Sequence, residues 1–511
     1  MDKPEMDTPA NATALREIVV VGGGSAGWMT AAALSSLLDP AQTRITLVES
    51  DAIGTVGVGE ATIPDMINFN AMLGIREDEF VAATDATFKL GIEFVGWKRK
   101  GESYFHPFGS HGVDMQGIDF HQYWLALHRR GDAHPISDYS ICARAAYEGR
   151  FAHPVQDTRS PLSHLRYAYH LDATRYAAFL RRYAEARGVQ RVEGRVEDVR
   201  LDAESGDIRE LALSDGRTVS GELFFDCTGF RALLMRGALG VGWEDWSHWL
   251  PCDTAQTVAS AHNGPPAPFT RATARETGWQ WRIPTQRRIG NGHIYASAHM
   301  SDDDARDVLM DSLDSEPLGE PRTIRFRTGR LDRMWERNCI AVGLSAGFLE
   351  PLESTSLYLI QMGISKLITL YPDAAPAPVV VEEYNRQMRQ QFAQVRDFII
   401  LHYCATERDD SPFWNHCRTM ELPDSLRHKM ELFGAAGRVF RHEDELFSVP
   451  SWVAVMLGQG IVPRTLDPIV AQLPAEQVAH SLATMREGLG RAARSLPAHG
   501  DYIDRFARRA A

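Results

Sequence analysis

The chain's chemistry-bearing residues begin with Gly22-Gly23-Gly24-Ser25-Ala26-Gly27, which places glycines at G-x-G-x-x-G spacing directly after the β-branched run Glu17-Ile18-Val19-Val20-Val21. Gly22 allows a tight turn, Gly24 lets the backbone approach a pyrophosphate, and Gly27 permits close packing of helix on strand. The free N–H groups of a helix starting at Ser25 and Ala26 face the anion. Glu49 closes the next strand pattern, Arg44 to Glu49, where a carboxylate can accept from a ribose hydroxyl. Strand, glycines, helix, strand and terminal acid occur in order, so the segment is expected to hold a dinucleotide.

These groups need a scaffold. The continuous apolar strands around an Ala- and Leu-rich helix, Ser25 to Leu38, describe a βαβ unit whose parallel sheet is covered on both faces. The fold class is therefore mixed α/β: a Rossmann-like module over 17–375, interleaved with a mainly helical module over 376–511, behind a loose tail at 1–16. Residues 76–88 read as a helix and Gly91 to Trp97 as a strand. Asp172 is placed to cap a helix over 173–187, with strand-like stretches near 192–201 and 208–225. The aromatic- and His-rich stretch 95–165 reads as an insertion over the cofactor. From Glu382 to Tyr403, Phe392, Val395, Ile399 and Tyr403 recur at helical spacing.

Three segments carry a family resemblance. Gly278-Trp279-Gln280-Trp281-Arg282-Ile283-Pro284 matches W-x-W-x-I-P, a signature of flavin-dependent halogenases of the tryptophan-halogenase group. Phe348-Leu349-Glu350-Pro351-Leu352-Glu353-Ser354-Thr355-Ser356 matches that family's F-x-x-P-x-x-S-x-G at all but its last position, and Phe88-Lys89 resembles its catalytic-lysine segment. Gly57-Val58-Gly59-Glu60-Ala61-Thr62 is also family-like. The strand end Phe224-Phe225-Asp226-Cys227-Thr228-Gly229 resembles a nucleotide-side motif of flavoprotein hydroxylases, and Ala341 to Gly347 has the same strand-then-glycine character.

The resemblance implies FAD, used as FADH2 with O2 and chloride or bromide, held by Gly22, Gly24, Ser25, Ala26, Gly27, Glu49, Ala61, Val196, Asp226, Gly229, Gly343, Leu344 and Leu357. It implies that hypohalous acid reaches Lys89, that Glu353 stabilises the ring cation and removes its proton, and that Ser354 orients Lys89. Thr355 and Ser356 would hold halide at a helix start. Within Tyr104-Phe105-His106-Pro107-Phe108-Gly109, the residues His106, Pro107 and Phe108 resemble the loop that sandwiches an indole. Phe447 stands where the tryptophan-specific members have Trp, and their Tyr-Tyr pair is missing from Gly437 to Phe447. A zwitterion needs paired polar partners to offset desolvation, so the expected substrate is a neutral indole-like or larger aromatic.

Composition narrows the alternatives. With 54 Lys and Arg against 67 Asp and Glu, the net charge of −13 disfavours nucleic acid and anionic membranes. Six scattered cysteines without CxxC spacing read as free thiols in a cytoplasmic protein, and no metal site is expected. No apolar run approaches a membrane span. A single G-x-G-x-x-G implies that a separate flavin reductase supplies FADH2, and a homodimer is left open. The rivals are an FAD-dependent aromatic hydroxylase, which assigns Lys89 no role, and a non-catalytic flavin-binding protein, which leaves most of these segments unexplained.

Overall fold

The computed structural model describes residues 15–52, 59–372, 376–442 and 444–508. Gly57, Val58 and Glu443, quoted above, and most of the 1–16 segment lie outside the described residues. Strand β1 (Glu17–Val21) is the centre of a six-stranded sheet, flanked by β2 (Arg44–Glu49) on one side and Leu223–Asp226 on the other, both parallel to it. Gln190–Glu193 and Cys339–Ala341 extend the parallel array, and Trp335–Glu336 adds an antiparallel edge. All interior β1 side chains are buried, as a sheet covered on both faces requires. Helix α1 (Ser25–Leu37) follows the glycine turn and packs on Ala173–Glu185, whose N-terminus is capped by Asp172 through the Arg175 N–H.

A seven-stranded sheet forms the second layer. It runs Arg322–Arg325, Thr254–Ser260, Ile289–Tyr295, Gly278–Pro284, Thr270–Arg275, and then the two strands that precede these in sequence, Gly91–Val95 and Ser103–Pro107. A small antiparallel sheet of β3 (Gly59–Ala61), Ala168–Asp172 and β4 (Thr87–Lys89) packs through β3 on the strands Gly278–Pro284 and Ile289–Tyr295. The chain beyond residue 378 is helical, beginning with the 27-residue helix Pro378–Cys404. No helix of the described residues is long and apolar enough to cross a membrane. All six cysteines are unpaired.

Three expectations need correction. The helix read over 76–88 stops at Ala83, because Asp85 adopts a left-handed φ of +55° and its carboxylate is fixed by Arg175 and Arg287. The chain then turns into β4, so Lys89 sits on a buried strand and not beyond a helix end. The 95–165 stretch does not cover the cofactor cavity. It contributes Ser103–Pro107 to the large sheet and helices Phe120–His128 and Ile141–Tyr147, and none of its residues lines that cavity. The 208–225 stretch is three strands, broken at the Asp215-Gly216 turn where Gly216 has φ +87°.

Candidate functional site

A cavity of about 570 Å³ opens at the glycine turn and runs between the sheets. Gly22 has φ +110°, and a Cβ there would fall 2.2 Å from the Cys227 carbonyl oxygen. A Cβ on Gly27 would fall 1.8 Å from Gly22 O, so helix and strand meet at a distance only glycine permits. At Gly24, by contrast, nothing lies within 4 Å of a built Cβ. That open space faces the first turn of α1, which has no side-chain cap, and this is the cradle a pyrophosphate needs. Gly22, Gly24, Ser25, Ala26, Glu49, Val196, Gly229, Gly343, Leu344 and Leu357 all line the cavity, and its walls are mainly apolar, as a flavin requires.

Three expected cofactor residues do not reach it. Gly27 packs behind the turn, and Ala61 is buried beside the lining residue Glu60. Asp226 is fully buried and spends its carboxylate on the N–H groups of Thr228, Leu234 and Met235 and on the Thr228 hydroxyl. It holds the chain reversal after its strand and leaves no oxygen for a ligand. Glu60, which the sequence singled out only as part of a run, lines the cavity, where burial pushes its carboxyl up to about 7.

A second cluster of buried functional groups lies outside the cavity lining, near the W-x-W-x-I-P strand, whose two tryptophan rings share one face 6.0 Å apart. Trp281 lines the cofactor cavity, while Trp279 donates from Nε1 to Glu350 Oε2 at 2.8 Å. Lys89 is completely buried. Its Nζ donates to Ser354 Oγ at 2.7 Å and to the Thr62 carbonyl at 3.1 Å, and it lies 5.1 Å from the centre of the Phe108 ring. Burial lowers the Lys89 ammonium to about 7 against an opposing pull from Glu353. A buried lysine poised near neutrality can present either a nucleophilic amine or a hydrogen-bonding ammonium.

Glu353 is 1% exposed. Burial would raise its carboxyl, but His106 and His402 more than offset this and bring it down to about 2. His106 Nδ1 lies 3.0 and 2.9 Å from its two oxygens, and His402 Nε2 lies 2.8 Å from Oε1. His106 is 6.3 Å from Phe447, which stacks on Phe398 at 3.6 Å between ring centres. The expected substrate residues therefore gather round the expected Lys/Glu pair, with Pro107 on the same strand as His106, paired across to Gly91.

The loop carrying Glu353 also borders the cavity. Ser354 follows the single turn Pro351–Glu353 with φ +61°, a left-handed conformation costing about 1 kcal/mol or more for a residue with a Cβ. This reversal turns Ser354 to Lys89, while Ser356, opening the helix Ser356–Thr369, lines the cofactor cavity. Two residues span at most about 7 Å, so the two centres share one short stretch of chain. Between them Thr355 Oγ1 is buried with no hydrogen-bond partner among the described residues. The helix start supplies N–H groups without intrahelical partners, so the expected halide position is polar and unsatisfied.

Helix Pro378–Cys404 supplies residues to which the sequence assigned no role. His402 reaches Glu353, and its neighbour Tyr403 donates to Glu350 at 2.6 Å. Burial raises Glu350 to about 7, and its Oε1 has no partner among the described residues. Two buried acids three residues apart thus titrate far apart: burial alone lifts Glu350 against the Tyr403 and Trp279 hydrogen bonds, whereas His106 and His402 outweigh burial at Glu353. The available signal was a His-Tyr pair inside the otherwise apolar run Phe398 to Cys404.

The mainly apolar cavity at the glycine turn, with a buried Lys89 and Glu353 outside its lining, is the arrangement of a flavoenzyme with a second polar centre. Residues 17–475 match the family model for tryptophan halogenase. Tryptophan 6-halogenase SttH of Streptomyces toxytricini is 34% identical over 95% of this chain and 97% of its own length. Two solved structures superpose with TM-scores of 0.93. Xcc4156, a flavin-dependent halogenase from Xanthomonas campestris, is 50% identical and covers 96% of this chain and 98% of its own. BrvH, a flavin-dependent halogenase from Brevundimonas sp. BAL3, is 47% identical, covering 96% and 99%. The chain belongs to the tryptophan halogenase family, as a flavin-dependent halogenase that uses FADH2, O2 and halide on a small aromatic substrate. These matches favour halogenation over the hydroxylase alternative.

Proposed function

We propose that this halogenase delivers electrophilic chlorine or bromine from Lys89 to an uncharged indole-like ring, with Glu353 taking the ring proton. Bound as FADH2, the flavin with O2 supplies the oxidising power that turns halide into hypohalous acid. Thr355 and Ser356 hold the halide at the helix start. Ser354 and the Thr62 carbonyl fix the Lys89 nitrogen so that it meets the oxidant in one orientation. His106, Phe108 and Phe447 present flat faces that set the plane of the ring and exclude water. Six unpaired thiols fit a cytoplasmic enzyme served by a separate flavin reductase.

The observation that carries the Lys89 role is its complete burial with a 2.7 Å contact to Ser354, since an ammonium is not buried without a purpose that repays its desolvation. The uncharged substrate is supported by the 437–447 stretch. Arg438 pairs with Asp467, Arg441 donates to the Glu445 carbonyl, Glu445 pairs with Lys429, and Asp444 with Lys366. These groups are committed within the protein and do not form a clamp for an amino acid's charged end.

The test supplies a flavin reductase, NADH, O2 and chloride or bromide to a panel of indoles, with mass spectra reading the halogen isotope pattern. Lys89→Ala should lose halogenated product while reduced flavin is still reoxidised. Retained halogenation in that variant, or free tryptophan turned over faster than every uncharged indole, overturns the respective part of the reading.

A further inference from the structure

Behind Glu353 the hydrogen-bonding chain continues. His402 Nδ1 lies 2.7 Å from the Tyr104 hydroxyl, Gln459 Nε2 donates to the Tyr104 oxygen at 3.4 Å, and the same amide donates to the His402 carbonyl at 2.8 Å. The His402 ring is completely buried and stacked on Phe94, with 4.4 Å between centres and 22° between planes. Phe398 packs edge-on at 5.5 Å and Trp97 at 5.9 Å. The ring plane is fixed, and the remaining freedom is which nitrogen carries the hydrogen.

The direction of each bond follows from charge. Glu353 is ionised and its Oε1 lies 2.8 Å from Nε2; the contact is electrostatic, without hydrogen-bond alignment, and a carboxylate this close favours the hydrogen on Nε2 over a facing lone pair. Burial favours a neutral imidazole, so Nδ1 must then accept. Burial also keeps the Tyr104 phenol protonated, and its O–H is the donor available to Nδ1. The Tyr104 oxygen in turn accepts from Gln459. We propose that Tyr104 is a positioning residue that locks His402 in the Nε2–H form, so that His402 holds Glu353 ionised and aimed at the substrate ring. The titratable groups facing this carboxylate are His106, His402 and Lys89, with Tyr104 behind His402. The inference rests on the reading that Glu353 takes the ring proton.

The test uses the full-length protein with FAD, a flavin reductase, bromide and indole. Tyr104→Phe should lower kcat about tenfold, the worth of one hydrogen bond acting on a charged group. KM should stay within twofold, and the acidic limb of the pH–kcat profile should move upward as Glu353 loses a fixed donor. His402→Leu should lose most of kcat and His402→Gln should regain part of it, because the Gln amide offers an N–H with no tautomer to choose. In the His402→Gln background, Tyr104→Phe should cost nothing more. Equal cost in both backgrounds, or an unchanged kcat and acidic limb, overturns the lock. A readout independent of turnover is the ¹⁵N spectrum of histidine-labelled protein, where His402 should show an unprotonated Nδ1. A protonated Nδ1 in the parent overturns the proposal whatever the kinetics. Undiminished kcat in Glu353→Gln would instead remove the proton-acceptor role and leave the tautomer assignment standing.

Discussion

Lys89→Met should make the enzyme inactive and, at mildly acidic pH, more stable. A solvated lysine titrates at 10.5 and burial brings Lys89 to about 7. At about 1.4 kcal/mol per pH unit, that difference corresponds to roughly 5 kcal/mol of desolvation cost. The sign follows from proton counts. Between pH 7 and 10.5 the unfolded chain binds the proton that the folded chain has released, so this group makes stability rise with pH. Below pH 7 both states are protonated and the whole cost stands. Methionine removes the cost but strands Ser354 Oγ and the Thr62 carbonyl, each about 1 kcal/mol. The net gain is about 3 kcal/mol at pH 6, falling through zero near pH 9. For 511 residues the unfolding entropy is about 1 kcal/mol per degree, so Tm should rise by about 3 °C at pH 6 and by nothing at pH 9. Scanning calorimetry of parent and variant at pH 6, 7, 8 and 9 decides it. A variant less stable than the parent at pH 6, or a gap that does not change with pH, would refute the claim that Lys89 is held against its own desolvation.

Glu350→Gln should show the opposite pH trend. The parent carboxyl is raised from 4.5 to about 7, so its cost is absent below pH 4.5 and complete above pH 7; the variant's Tm advantage should grow by about 3 °C between those limits. Glu353→Gln should lower kcat on indole about 100-fold without loosening FAD, as expected for removing a positioned proton acceptor, and an unchanged rate would take Glu353 out of the chemistry. Gly27→Ala should abolish retention of FAD on a desalting column, because its Cβ would fall 1.8 Å from Gly22 O and force helix from strand. A variant that keeps its yellow colour would show that the turn can relax.

What was legible in the sequence was whatever rests on local pattern. The first βαβ unit, its glycines and the Asp172 cap depend on residues close in the chain, where sterics and hydrogen-bonding geometry leave few choices. The Lys89 strand was misread because the stop at Asp85 depends on Arg175 and Arg287, which arrive from other elements to hold a left-handed residue in place. The Asp226 carboxylate looked like a ligand group because its spacing is right; only the folded turn shows four donors already occupying it. His402 was invisible for a related reason. On a helix its spacing is that of a core residue, and its meaning comes from Glu353, 49 positions earlier in the chain. The family segments, by contrast, pointed to Lys89, Ser354 and Glu353 before any geometry was known.

The W-x-W-x-I-P strand has a consequence for the enzyme's working life. Trp281 lines the cavity proposed to hold the flavin, so an oxidisable indole stands beside the proposed source of the oxidant. Its Cζ2 and Cη2 atoms press against Gly292, directly across in the strand register, where even a Cβ would fall 2.1 Å from Cζ2. Backbone from the neighbouring strand therefore shields two of the benzo carbons that the reaction would otherwise find. On that reading, the close approach of these two strands bears on how many turnovers Trp281 survives, a separate matter from how fast each turnover runs.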